Sequence, residues 1–91
     1  MSLILHRVMQ IVAEQFGEEV SSLTPGTRFV EDLAESLEFT ETIMACEEEF
    51  ALSIPNEDAV RIVTIGLLAD YIEKRLGHDS GVWPPAPRVI G

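Results

Sequence analysis

Few side chains in this sequence stand where they can do chemistry, and the clearest is a hydroxyl. Ser36 lies in the run Asp32 to Phe39, DLAESLEF, where acidic and apolar residues alternate quickly. It opens a segment of helical periodicity directly after a long aperiodic stretch. A serine in that place accepts hydrogen bonds from the free amide groups of a helix's first turn, the N-cap role. The same position is exposed, and the positive end of the helix dipole supports a phosphate attached there. Leu37 beside it offers a partner an apolar contact, and the surrounding acids would guide a basic partner to the spot. Cap and modified residue are compatible roles, and the residues alone leave both open.

The other reactive side chains point to no catalytic centre. Cys46 falls on the apolar stripe of the same helix, where a cysteine serves as a small core residue, and burial among acids would raise its thiol pKa. His6 sits in a helix and His78 in the expected tail, and both read as surface histidines. Glu47, Glu48 and Glu49 read as a solvated helix surface, and no loop-type cation site is spelled. No Gly-rich phosphate loop, no Cys/His metal spacing, no triad and no paired-carboxylate site is present. Catalysis by this chain alone is not expected.

Charge is the strongest compositional signal. The formal net charge is −10. Between Arg28 and Arg61 stand ten acidic side chains (Glu31, Asp32, Glu35, Glu38, Glu41, Glu47, Glu48, Glu49, Glu57 and Asp58) with no Lys or Arg among them. That field repels phosphate backbones, which argues against nucleic-acid partners, and attracts proteins with basic patches. Acids also simply solubilise a small domain, but here they crowd one segment. The 91 residues suit one small domain. One cysteine excludes an internal disulfide and fits a reducing cytosol. Polar residues interrupt the apolar N-terminal run, so no signal-peptide core is read, and no apolar run is of membrane-spanning length. No oligomerisation signal is present, so a monomer is expected.

The elements that must position Ser36 follow from apolar spacing. Ile4, Val8, Ile11, Val12 and Phe16 predict a helix over residues 3–16, capped by Ser2 and closed at Gly17. Residues 17–35 lack periodicity and form a long first loop, pinned to the core by Val20, Leu23, Phe29 and Leu33. Phe39, Ile43, Cys46 and Phe50 predict a second helix from about Ser36 to about Ala51. Glu57 to Ile62 predict one short helical turn, with Pro55 and Asn56 as start signals. Thr64 opens a last helix through Ile65, Leu68, Ala69, Ile72 and Leu76, ending at Gly77. The fold is all-α: three main helices plus one short helix, a four-helix bundle over residues 1–76. Residues 77–91, with Pro84, Pro85 and Pro87, read as a flexible Pro-rich tail. A docking peptide, or a segment folded back over the domain, is the alternative for that stretch.

The run FVEDLAESLEFTETIMACEEEF, followed by SIPNEDAVRIVTIGLLADYI, resembles the acyl carrier protein family. The resemblance rests on an ordered series: Phe29, Glu31-Asp32-Leu33, Ser36-Leu37, Glu47 to Phe50, Ile54-Pro55, Glu57-Asp58, Thr64 and Asp70-Tyr71-Ile72. It covers about residues 3–76. It implies an acyl-carrier-like four-helix fold and phosphopantetheine as covalent cofactor, moved from coenzyme A onto Ser36 by a phosphopantetheinyl transferase. The arm's thiol would then hold an acyl group as a thioester for a fatty-acid, specialised lipid or polyketide-type pathway. The resemblance also implies partner recognition along the second helix. Glu35, Leu37, Glu38, Glu41, Met44, Glu47 and Glu48 would face acyl-transferring and acyl-modifying enzymes with basic docking patches.

The sequence departs from that family in particular places. Glu35 replaces the usual aspartate before the serine, and the link from Leu33 to Ser36 is one residue shorter. Thr40 and Thr42 stand where apolar residues are usual, and Phe39 is large for its place. These changes lead to the expectation that Phe39 and Ile43 take over the inward role from position 42. Together with the tail they suggest a specialised carrier. Two other functions fit the same residues: an aminoacyl or peptidyl carrier using the same arm, and an unmodified acidic helical adaptor.

Overall fold

In the computed structural model, residues 3–32 and 36–78 are described, the side chains of Ser36 and His78 excepted. Four α-helices form in chain order: α1, Leu3–Phe16; α2, Ser36–Phe50; α3, Asn56–Ala59; and α4, Ile65–His78. A single 3₁₀ turn, Val20–Ser22, follows α1. No strand occurs among the described residues beyond an isolated antiparallel bridge between Arg28 and Thr64. The all-α helical bundle with a long first loop is thus the fold. The Ser2 cap, the Leu33 anchor, the shortened link and the tail beyond residue 78 lie outside the described residues.

α1 is the central element and packs on both α2 and α4. Val8 and Val12 of α1, Cys46 of α2, and Ile65, Leu68 and Ile72 of α4 are fully buried. α1 closes as its sequence foretells. Gly17 takes φ +68°, and the Glu18 N–H donates back to Ala13 O at 3.0 Å, a glycine-closed helix end. α2 ends in the same way without a glycine. Ala51 carries φ 55°, and the Leu52 N–H reaches Glu47 O at 3.2 Å.

Two boundaries differ from expectation. α3 starts at Asn56 and covers only four residues. Pro55 precedes it with its carbonyl free to accept, and takes the Asp58 and Ala59 N–H groups at 3.0 and 2.9 Å. Beyond Ala59 the chain continues to Ile62 in tighter turns, Arg61 N–H to Asp58 O and Ile62 N–H to Ala59 O. At the other end, α4 runs through Gly77 to His78. Gly77 is not among the residues of positive φ, so it continues the right-handed helix instead of reversing it. His78 therefore belongs to α4, and the helical domain extends two residues past 76.

The expected inward face of α2 also needs correction. Thr42 is fully buried at 0 % exposure, and Ile43 is buried with it. Phe39 is partly buried, with its ring centroid 4.9 Å from that of Phe29. Positions 39, 42, 43, 46 and 50 fall on one arc of a helix, so spacing rather than polarity decides that Thr42 points inward. Its hydroxyl has no hydrogen-bond partner among the described residues. An unsatisfied buried hydroxyl costs about 1–3 kcal/mol. Thr42→Val keeps the shape and removes that group. It is expected to stabilise the domain by about 1 kcal/mol, seen as a higher urea midpoint at unchanged slope. A lowered midpoint would show that the hydroxyl is satisfied.

Candidate functional site

The loop before Ser36 is held in place by the start of α4. Residues 25–32 cross that helix end as a strap. The N–H groups of Ile65 and Gly66, left without partners inside α4, donate to Thr27 O at 3.0 Å and Pro25 O at 2.8 Å. The Thr64 hydroxyl caps the same end by accepting from the Leu67 N–H at 3.1 Å. Gly66 permits the close crossing, because a Cβ there would lie 3.0 Å from Pro25 O. On the return path the Phe29 N–H donates to Val63 O at 3.1 Å. The Phe29 ring, 1 % exposed, fills the space below, stacked 6.1 Å from Phe16 and tilted against Phe39.

The strap ends in a tight ionic turn. Arg28 places Nε and Nη2 on the two oxygens of Asp32 at 3.2 and 3.0 Å, and Nη1 on Glu31 Oε2 at 2.9 Å. The Arg28 backbone N–H adds a 2.8 Å bond to Asp32 Oδ2. These hydrogen bonds hold the Asp32 carboxyl below the usual carboxylate range. Glu35 lies outside the described residues. Ser36 then stands as the first residue of a fifteen-residue helix, at the end that favours a negative group.

Of the acidic and apolar residues expected to face a partner, four form one stripe. Leu37, Glu41, Met44 and Glu48 recur at helical spacing on the outer face of α2, and all are exposed; Leu37 is 66 % and Met44 55 % accessible. Glu38 and Glu47 do not join them. Glu38 is half-buried, with one carboxylate oxygen buried and unpartnered among the described residues. Glu47 is half-buried and accepts the Ile54 N–H at 2.8 Å, which ties the chain after α2 to that helix. The reading of Glu47 to Glu49 as solvated surface is therefore corrected for two of the three. Glu49 is engaged too, in a 3.1 Å ion pair with Arg7 of α1.

The strap itself lines an apolar groove of about 250 Å³. Phe29, Val30, Phe39, Val60 and Val63 line it, together with the charged Arg28 and Glu31. Val30, Val60 and Val63 are 69 %, 75 % and 54 % exposed. They escaped the reading of periodicity because they lie outside the long helices. The only available signal was three valines in segments otherwise rich in polar and turn residues. α3 is fixed beside this groove by a relay. The Tyr71 hydroxyl donates to Asp58 Oδ2 at 2.7 Å, and Arg75 Nη1 donates to both the Tyr71 oxygen and Ser53 O at 2.9 Å.

The chain's own thiol is unsuited to carrying cargo. Cys46 is fully buried, and desolvation first, then Glu49, pushes its pKa up to about 12. Among the described residues no His, Cys, Asp or Glu cluster is placed to hold a metal ion. No helix among them is long and apolar enough to cross a membrane. A tethered anionic arm suits what is present. Its phosphate would meet the N-terminal end of α2, and a flexible chain beyond it would find an apolar groove beside the strap.

The family model described as phosphopantetheine attachment site matches residues 6–72. That span includes most of α1, the strap, Ser36, α2, α3 and the first eight residues of α4. Proteins of this kind take up phosphopantetheine covalently through a phosphopantetheinyl transferase, are generally non-catalytic, and interact with other enzymes as carriers. The chain belongs to the phosphopantetheine-attachment family, consistent with an acyl carrier protein.

Proposed function

We propose that this protein is an acyl carrier whose phosphopantetheine is attached at Ser36. The observation that carries the reading is the exposed stripe Leu37, Glu41, Met44 and Glu48, which begins at the residue beside Ser36 and runs along α2. Carboxylates alternating with apolar contacts suit partner enzymes that present basic patches around an apolar spot. Ser36 supplies the hydroxyl that takes the phosphopantetheinyl group from coenzyme A: its proton leaves, its oxygen bonds the pantetheine-side phosphorus, and the pyrophosphate bond breaks to release adenosine 3′,5′-bisphosphate. When bound, the arm supplies a terminal thiol that carries cargo as a thioester. The helix end supports the phosphodiester charge, and the strap before it is bonded to the start of α4. Val30, Val60 and Val63 give an apolar cargo a surface to lie on, which favours an acyl over an aminoacyl cargo. The departures at Glu35, Phe39 and Thr42 support a specialised carrier in a lipid or polyketide-type pathway. The site is proposed to work in the cytosol on a monomer.

Intact-mass measurement after incubation with coenzyme A and a panel of transferases tests this reading. The expected result is a gain of one phosphopantetheine, located by fragmentation on the peptide that contains Ser36. No gain with any transferase, the native one included, would favour the unmodified adaptor. An amino acid or peptide as the thioester cargo in cells would favour the aminoacyl carrier.

A further inference from the structure

We propose that Tyr71 is a positioning residue for bound cargo: through Asp58 it holds α3 in place as one wall of the apolar groove. The inference rests on the carrier reading above, since the groove serves cargo only where an arm is attached. The strap supplies one wall of the groove, with Phe29 and Val30, and the chain from α3 to the entrance of α4 supplies the other, with Ala59, Val60 and Val63. At its far end this second wall is bonded to the strap, the Phe29 N–H donating to Val63 O at 3.1 Å. At its near end it begins in α3, and none of the four residues of α3 is buried. The apolar anchors, Ile54 and Ile62, lie before and after the turn. A turn that buries no side chain of its own is the kind of segment that opens locally at low cost.

The relay from α4 supplies what packing does not. The Tyr71 hydroxyl donates to Asp58 Oδ2 at 2.7 Å, the short length of a bond to an ionised acceptor. The same oxygen accepts from Arg75 Nη1 at 2.9 Å, so its one proton is left for Asp58. That Arg75 nitrogen also donates to Ser53 O at 2.9 Å, which ties down the chain ahead of α3. Asp58 shares a helical turn with Ala59 and Val60. The Asp58 and Ala59 N–H groups both donate to Pro55 O, and the Val60 N–H donates to Asn56 O at 3.1 Å. A displacement of Asp58 therefore carries the groove residues with it, through a stretch whose backbone bonds are all in place.

Two measurements on the full chain test the proposal, each for wild type, Tyr71→Phe, Asp58→Ala and the double variant. Tyr71→Phe keeps the ring and removes only the hydroxyl. The first measurement is amide hydrogen exchange without an arm. Exchange at Ala59, Val60 and Ile62 is expected to rise about tenfold in each single variant, with the α1 amides unchanged. The double variant should exchange no faster than the singles, because both changes break one interaction. The second loads Ser36 from octanoyl- or acetyl-coenzyme A and follows cleavage of the thioester by hydroxylamine. The octanoyl chain is long enough to lie in the groove, so wild type should protect its thioester over the acetyl one. Tyr71→Phe should lose about tenfold of that protection, with acetyl cleavage unchanged. Unchanged exchange in Tyr71→Phe, a rise spread equally over α1, additive losses in the double variant, or equal changes for both thioesters would overturn the proposal. In a wild type that is loaded, any of these leaves the carrier function standing. A wild type that no transferase loads would overturn both.

Discussion

Ser36→Ala is expected to abolish attachment of phosphopantetheine altogether, not to slow it. On the proposed assignment the Ser36 hydroxyl is the nucleophile of the transfer, and alanine removes it. The nearest thiol cannot take over. Cys46 is fully buried on the inner face of the same helix, with its pKa pushed up to about 12, so almost no thiolate exists at neutral pH. The helix itself should survive. Alanine has the highest helix propensity of any residue, and the buried residues of α2, Thr42, Ile43, Cys46 and Phe50, are untouched. Intact mass should thus show no gain where the wild type gains one arm, while the circular dichroism spectrum is unchanged. Because the stripe Leu37, Glu41, Met44 and Glu48 remains, the variant should still occupy partner enzymes and inhibit transfer from the loaded wild type. A mass gain in Ser36→Ala would move the attachment point to another residue.

Phe29→Ala should have the largest effect on stability. The ring is 1 % exposed and lies between Phe16 at 6.1 Å and Phe39 at 4.9 Å. It joins the end of α1, the strap and the first turns of α2. Removing a buried phenylalanine ring costs about 3–5 kcal/mol, lost burial and residual cavity together. Small domains have only about 5–15 kcal/mol in total, so a large share of the folded state's margin goes with this one side chain. The expected result is a urea midpoint lowered accordingly, with a substantial unfolded fraction at physiological temperature. A loss below about 1 kcal/mol, within the range of ordinary surface changes, would mean that the strap is held without its ring. Loading of Ser36 should fall in parallel, since the strap and the groove share Phe29 as floor.

The parts of this structure that could be read from the sequence are those whose physics is local. α1, α2 and α4 announce themselves because their buried residues recur with the helical period, and each lies within a residue or two of its expected ends. Thr42 is the instructive failure on α2. Its polarity argued for the outside, but its place between Phe39 and Cys46 on the arc put it in the core. The strap was visible only as a gap in periodicity with Phe29 as an isolated anchor, because its backbone partners, Val63 to Gly66, lie far along the chain. No local pattern encodes such pairing. The site was divided in the same way. Leu37, Glu41, Met44 and Glu48 share a face by spacing alone, so their exposure could be read. That Glu47 folds back onto the Ile54 amide, and that Glu49 reaches Arg7, depends on which backbone and which helix happen to lie alongside. The groove valines escaped for a related reason. Val30 comes from the strap and Val60 and Val63 from the stretch after α3, and only the folded chain brings the two segments together.

The strap has a consequence for how the protein is made. Its carbonyls and amides are completed by residues at the entrance of α4, and those are synthesised long after Ser36. A nascent chain that has released α1 and α2 but not Val63 to Gly66 carries the strap without its backbone partners. The first loop is therefore held only after the entrance of α4 has been synthesised.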